Sequence, residues 1–125
     1  MVQYSGSSGV YAVPDIEAAA GFYRDVLGVQ VDEQEGMLQL TLPGGWSLLV
    51  YPKPDHRPAV FTVLNLFVED LPAAIDELVA KGAEFVRYPG FEQDERGIAS
   101  GMGPDIAWTT DPAGNIIAII EGPDE

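Results

Sequence analysis

The 125 residues predict an α+β fold of two like-built modules, each running strand, helix, strand, strand, strand. Three observations carry this. Apolar residues recur at helical spacing in two stretches, each opened by an Asp and closed by a Gly. Short alternating or β-branched runs fill most of the remainder. The two halves superimpose along the chain with a period of about 55 residues, and such a period occurring only twice points to one pseudo-symmetric domain rather than a repeat array.

The first module spans about residues 5–52. Ser5-Gly6-Ser7-Ser8-Gly9 is composed like a linker, but Val10-Tyr11-Ala12-Val13 follows at once, so the small residues read as the start of a strand. Asp15 then stands where its carboxylate can accept a free first-turn N–H. Ile16, Ala19, Ala20, Tyr23, Val26 and Leu27 fall on one helical face. Gly28 ends that helix by adopting the left-handed conformation. Residues 29–31 read as a strand. Over residues 37–42, Leu38, Leu40 and Leu42 alternate with Gln39 and Thr41, the mark of a half-buried strand. Pro43-Gly44-Gly45 turns the chain, and residues 46–51 return as a strand. Proline-rich residues 52–58 stiffen the bridge to the next module.

The second module spans about residues 59–122 of the same 1–125 domain. A β-branched and aromatic strand over residues 61–68 leads to the cap Asp70. Residues 71–81 form an amphipathic helix through Leu71, Ala74, Ile75, Leu78 and Val79, closed by Gly82. Residues 84–87 extend, and residues 89–103 form a long glycine-containing loop. Strands over residues 106–110 and 116–120 flank the turn Asp111-Pro112-Ala113-Gly114-Asn115.

The totals exclude several classes. With no cysteine, disulfides, thiolate metal sites and cysteine nucleophiles are absent. No apolar run approaches the roughly 18 residues that span a bilayer, and the first residues lack a basic and then apolar leader pattern. A cytoplasmic location is therefore expected. Twenty acids against six bases give a net charge of −14. Such a field repels nucleic acid and anionic membranes, so neither is an expected partner, and it favours neutral or cationic molecules. The same charge also serves plain solubility. No G-x-S-x-G elbow, phosphate loop or dinucleotide fingerprint appears.

Three stretches then point to one family. Asp15-Ile16-Glu17 with Phe22-Tyr23-Arg24-Asp25-Val26-Leu27-Gly28-Val29 resembles the first-module signature of the glyoxalase / bleomycin-resistance / extradiol-dioxygenase superfamily, the vicinal-oxygen-chelate group. Val68-Glu69-Asp70-Leu71 through Lys81-Gly82-Ala83-Glu84-Phe85-Val86 resembles its second module. The turn at residues 111–115 before an apolar strand is the third mark. The resemblance covers nearly the whole chain and implies two βαβββ modules whose curved mixed sheets surround a cup. It also implies a homodimer, because members commonly close the cup between chains. It does not imply one activity, since the family holds isomerases, dioxygenases, transferases and drug-binding proteins.

Metal-using members place ligands on the first strand of each module and on the last strand. Seven residues before the capping Asp15 lies Ser8, and seven before Asp70 lies Val63. Three residues after Gly114-Asn115 lies Ala118. These vacated positions offer no set of nitrogen and oxygen donors for a divalent ion. The one histidine, His56, sits in the bridge, and Glu121 is the sole carboxylate near the last strand. No metal or other cofactor is expected, and no residue is assigned a catalytic role.

Candidates for binding remain. Along Val63, Asn65 and Phe67, the side of the strand that the resemblance turns toward the cup, Asn65 is the polar exception. Its amide is expected to bond either a ligand or neighbouring protein groups. Trp46, Tyr51 and Trp108 on strands offer flat walls for a small molecule or, alternatively, ordinary core. The charged loop over residues 91–97 reads as a lid or as a solvated connection. Three functions follow: a metal-free protein binding a neutral or cationic small molecule; a glyoxalase- or dioxygenase-type enzyme; or a dimeric structural or regulatory module without a ligand.

Overall fold

The computed structural model describes residues 1–101 and 103–122. The chain divides into two compact units, Met1–Arg57 and Pro58–Glu125. Each unit carries one four-stranded mixed sheet.

In the first unit the strands are β1 (Gly9–Val13), β2 (Gln30–Gln34), β3 (Met37–Thr41) and β4 (Ser47–Pro52). They lie in the order β1-β4-β3-β2, with β1 parallel to β4 and the other pairs antiparallel. The helix α1 (Ile16–Gly21) supplies the crossover that a parallel pair requires. Asp15 caps it as expected, accepting from the Ala18 N–H at 3.1 Å. The expected helix over residues 16–27 changes character halfway. Phe22–Val26 is a π-helical turn, closed by a bond from the Leu27 N–H to the Phe22 carbonyl five residues back. The wider turn leaves Tyr23 fully buried, and Gly28, at φ 73°, ends the helix while the Val29 N–H reaches the Tyr23 carbonyl. Ala19, Ala20 and Tyr23 are buried with Val13, Leu38, Leu40 and Val50 on one side of this sheet. The alternation read in residues 37–42 is thereby explained, because Leu38 and Leu40 are buried while Gln39 is exposed. Strand β2 runs three residues further than expected, to Gln34, and pairs along its whole length with β3.

The second unit repeats the plan with β5 (Thr62–Val68), α2 (Leu71–Ala80), β6 (Phe85–Val86), β7 (Ile106–Thr110) and β8 (Ile116–Glu121). The order is β5-β8-β7-β6, again with the first pair parallel. Asp70 caps α2 through the Ala73 N–H at 3.1 Å, the same geometry as Asp15 in α1. Leu71 and Ile75 of α2 are buried with Leu64, Ile117, Ile119 and Ala107, which share the helix-covered side of the sheet. Thr109 lies on that side too, and its hydroxyl donates to the Glu84 carbonyl at 2.7 Å. The register shifts between Thr62 and Leu64, so the vacated position Val63 falls in an irregularity of the β5–β8 ladder.

Candidate functional site

The side of the second sheet away from α2 brings several of the expected residues together. Pairing sets Asn65 of β5 beside Ala118 of β8, Ala118 beside Trp108 of β7, and Trp108 beside Val86 of β6. Paired residues share a face, so these four form one row. The next row runs Phe67, Ile120, Ile106. The two rows are apolar except at Asn65, and Thr110 and Thr62 flank Ile116 in the row beyond. Ala118, Trp108 and Ala99 are buried in one cluster, with Val86, Tyr88, Ile106, Ile116 and Ile120 packed around them. At the β5 edge the face is open: Asn65 is exposed, and Phe67 is 41 % exposed. The Asn65 side-chain amide has no hydrogen-bond partner among the described residues and is open to solvent.

Trp108 stands at the other end of the row, 9 % exposed. The Tyr88 ring meets it edge-on at 5.4 Å between centroids, and Phe91 lies tilted against it at 5.3 Å. Both come from the segment after β6, which includes the charged run over residues 91–97 expected as a lid or a solvated connection. It is tightly built. Gln93 sits at its centre: its amide oxygen accepts from the Tyr88 N–H at 2.8 Å, and its amide nitrogen donates to the Val86 and Gly97 carbonyls at 3.1 and 2.7 Å. Asp94 turns the loop by accepting from the N–H groups of Arg96 and Ile98, each at 2.9 Å. Arg87 donates to the Gln93 and Asp94 carbonyls. Arg96 grips Asp76 of α2 with two bonds of 3.0 Å, and this guanidinium holds the Asp76 carboxyl below the usual carboxylate range. Burial pushes the Tyr88 phenol up. Nothing in sequence marks Gln93 as the centre of this web, because a glutamine among charged loop residues has the composition of solvated surface.

Two expected wall residues, Trp46 and Tyr51, belong to the first unit. Tyr51 is on β4 as expected, beside Ala12 of β1. Trp46 is not on a strand. It lies in the turn before β4, 62 % exposed, where its carbonyl accepts from the Leu42 N–H at 2.8 Å. Gly44 and Gly45, at φ 88° and 84°, extend the turn to that point. Even on a strand the two aromatics would face opposite ways, being an odd number of residues apart.

The residues at the family's metal positions do not fit a metal ion. Ser8 is exposed before β1, Val63 carries no donor, and Ala118 presents a buried methyl group between Asn65 and Trp108. Glu121 points to the other side of its sheet: its carboxylate accepts from the Leu71 N–H at 2.9 Å and satisfies the start of α2. Among the described residues no group of three or more His, Cys, Asp or Glu converges as a metal site would require. His56 lies in the bridge, its Nε2 buried without a partner among the described residues. No step through a metal is derived.

Comparison with known proteins follows from this geometry. No curated protein matches the chain in sequence. Among solved structures it is similar to TnmS3, an antibiotic binding protein from a Streptomyces species, at 21 % identity and a TM-score of 0.68, over 98 % of this chain and 100 % of that one. It is similar to the fosfomycin resistance protein FosX from Listeria monocytogenes at 9 % identity and a TM-score of 0.71, over 98 % and 96 %. A glyoxalase / bleomycin resistance protein from Catenulispora acidiphila matches at 27 % identity and a TM-score of 0.64, over 94 % and 97 %. No helix among the described residues is long and apolar enough to cross a membrane. The profile of the Glyoxalase/Bleomycin resistance protein/Dioxygenase superfamily matches residues 8–119, nearly the full length, and the chain belongs to that superfamily.

Proposed function

We propose that this protein binds a small molecule, neutral or cationic, at the open β5 edge of its second sheet on the side away from α2, without a metal ion. One observation carries the reading. Asn65 offers an unpartnered amide at the open edge of a mostly apolar face, with Phe67 beside it and the Ala118–Trp108 row behind it. Apolar walls with a few placed polar groups are the usual build of a ligand site. Alanine at position 118 stands where family members with a metal carry a carboxylate, and its buried methyl group leaves the face without a charge there. The antibiotic-binding relative with the same fold supports the class of activity. The net charge of −14 favours a neutral or cationic ligand over an anion. The reading includes a cytoplasmic, homodimeric protein with no nucleic-acid or membrane partner.

Thermal-shift screening of cationic glycopeptide-type and neutral aromatic compounds tests it. A binder raises the melting temperature, and Asn65→Ala weakens that binder by about three- to ten-fold, the worth of one hydrogen bond of roughly 0.5–1.5 kcal/mol. Stabilisation by none of the compounds sinks the proposal. Unchanged affinity in the variant removes Asn65 from the site.

A further inference from the structure

The loop after β6 lines a shallow recess open to solvent. A cavity of about 710 Å³ opens against residues 87–100, and among the described residues Asn65, Phe67, Ala118 and Trp108 do not line it. Alternation explains the separation. Ala99 is buried against Trp108 and Ala118, bridged on one side to Gln93 and on the other to Ile106, while its neighbours Ile98 and Ser100 line the cavity. Tyr88 and Phe91 have two roles: their rings brace Trp108, and they also form the apolar wall of this recess.

The polar side of the recess is acidic in what it offers. Among the described residues Arg87 is the only base lining it, and both terminal nitrogens of its guanidinium donate to the loop carbonyls of Gln93 and Asp94. The three bonds of Gln93 likewise occupy its amide. Asp94 uses one carboxylate oxygen to hold the Arg96 and Ile98 N–H groups, which leaves the other without a protein donor among the described residues. The Glu92 carboxylate and the Ser100 hydroxyl have no protein partner among the described residues. Unspent acceptors therefore stand beside two aromatic rings, in a loop whose hydrogen bonds already fix its shape. That combination selects a cation carried on a flat apolar group, since the rings attract the charge from their faces and the carboxylates from the rim.

We propose that the recess within residues 87–100 is a second binding site, separate from the Asn65 face, for a small aromatic cation of the amidine or amine type. Benzamidine is the probe, with neutral benzamide as its near-isosteric control. In an isotope-labelled full-length chain, benzamidine is expected to shift the amide signals of Phe91, Glu92, Ile98 and Ser100 saturably. Benzamide should bind at least about three-fold more weakly, in line with the worth of a cation over an exposed ring. Glu92→Gln, a change at an exposed residue, should narrow that preference, and Asn65→Ala should leave it as it is. Equal binding of the two probes overturns the proposal. So does the absence of shifts, or shifts spread over acids outside the loop. Loss of benzamidine binding in Asn65→Ala would assign the probe to the sheet face instead, while failure of benzamidine leaves the Asn65 reading to its own screen.

Discussion

Asp111 shows how one side chain holds a turn. It is buried, and its carboxylate accepts from the Ala113 and Asn115 N–H groups at 2.9 Å and from the Asn115 amide at 3.0 Å. Its own N–H donates to the Asn115 carbonyl at 3.0 Å, which closes the connection between β7 and β8. Asn115 is itself 1 % exposed, so water cannot replace the lost acceptor. Asp111→Ala should therefore cost about 3 kcal/mol, given roughly 1–3 kcal/mol for each buried donor left unpaired. Urea unfolding measures this, and a loss below about 1 kcal/mol would show that the turn reorganises. Asp111→Asn retains one acceptor oxygen and should recover part of the loss. This turn was legible in sequence because its Asp-Pro-x-Gly-Asn composition acts locally. Glu121 was not: the same carboxylate could face either side of a strand end, and only the docking of α2 decides that it caps Leu71.

At the scale of elements, the helices, their caps and most strands were legible, since Asp15, Asp70, Gly28 and Gly82 act through bonds within a turn or two of chain. The π-helical turn at Phe22–Val26 was not, because one inserted residue hardly disturbs the apolar spacing that reveals the helix. The loop after β6 escaped for a further reason. Its order depends on Gln93 reaching residues on both sides, contacts that no periodic pattern announces. A prediction tests that order. Gln93→Ala removes three hydrogen bonds from the loop, so the Tyr88 amide hydrogen, which loses its acceptor, should exchange faster while those of α2 keep their protection. The Tyr88 and Phe91 rings should lose their fixed approach to Trp108, readable as a change in near-ultraviolet circular dichroism. Wild-type exchange in the loop would mean that Arg87 and Asp94 suffice to hold it.

For the whole molecule the decisive quantity is charge. The pseudo-repeat made the two-unit plan readable, but it contains no record of how one chain meets another, and the proposed homodimer must form between copies that each carry −14. Pairing relieves little of this charge. Arg24 with Glu33, Lys53 with Asp55, Lys81 with Glu77 and Arg96 with Asp76 are the ion pairs among the described residues, all with well-exposed side chains. Most of the twenty acids therefore keep their field, and two chains approaching one another repel. Salt shortens the reach of that repulsion, from about 30 Å at 0.01 M to about 8 Å at 0.15 M, whereas apolar contact area is not weakened by it. Dimerisation should thus strengthen with ionic strength. Light scattering after size exclusion, at micromolar chain concentration, should give twice the 13.4 kDa chain mass in 0.3 M sodium chloride and a lower average in 0.01 M. A single-chain mass at both concentrations removes the dimer. A dimer that tightens as salt is withdrawn would instead mean that oppositely charged patches meet across the interface, with the scarce bases concentrated there.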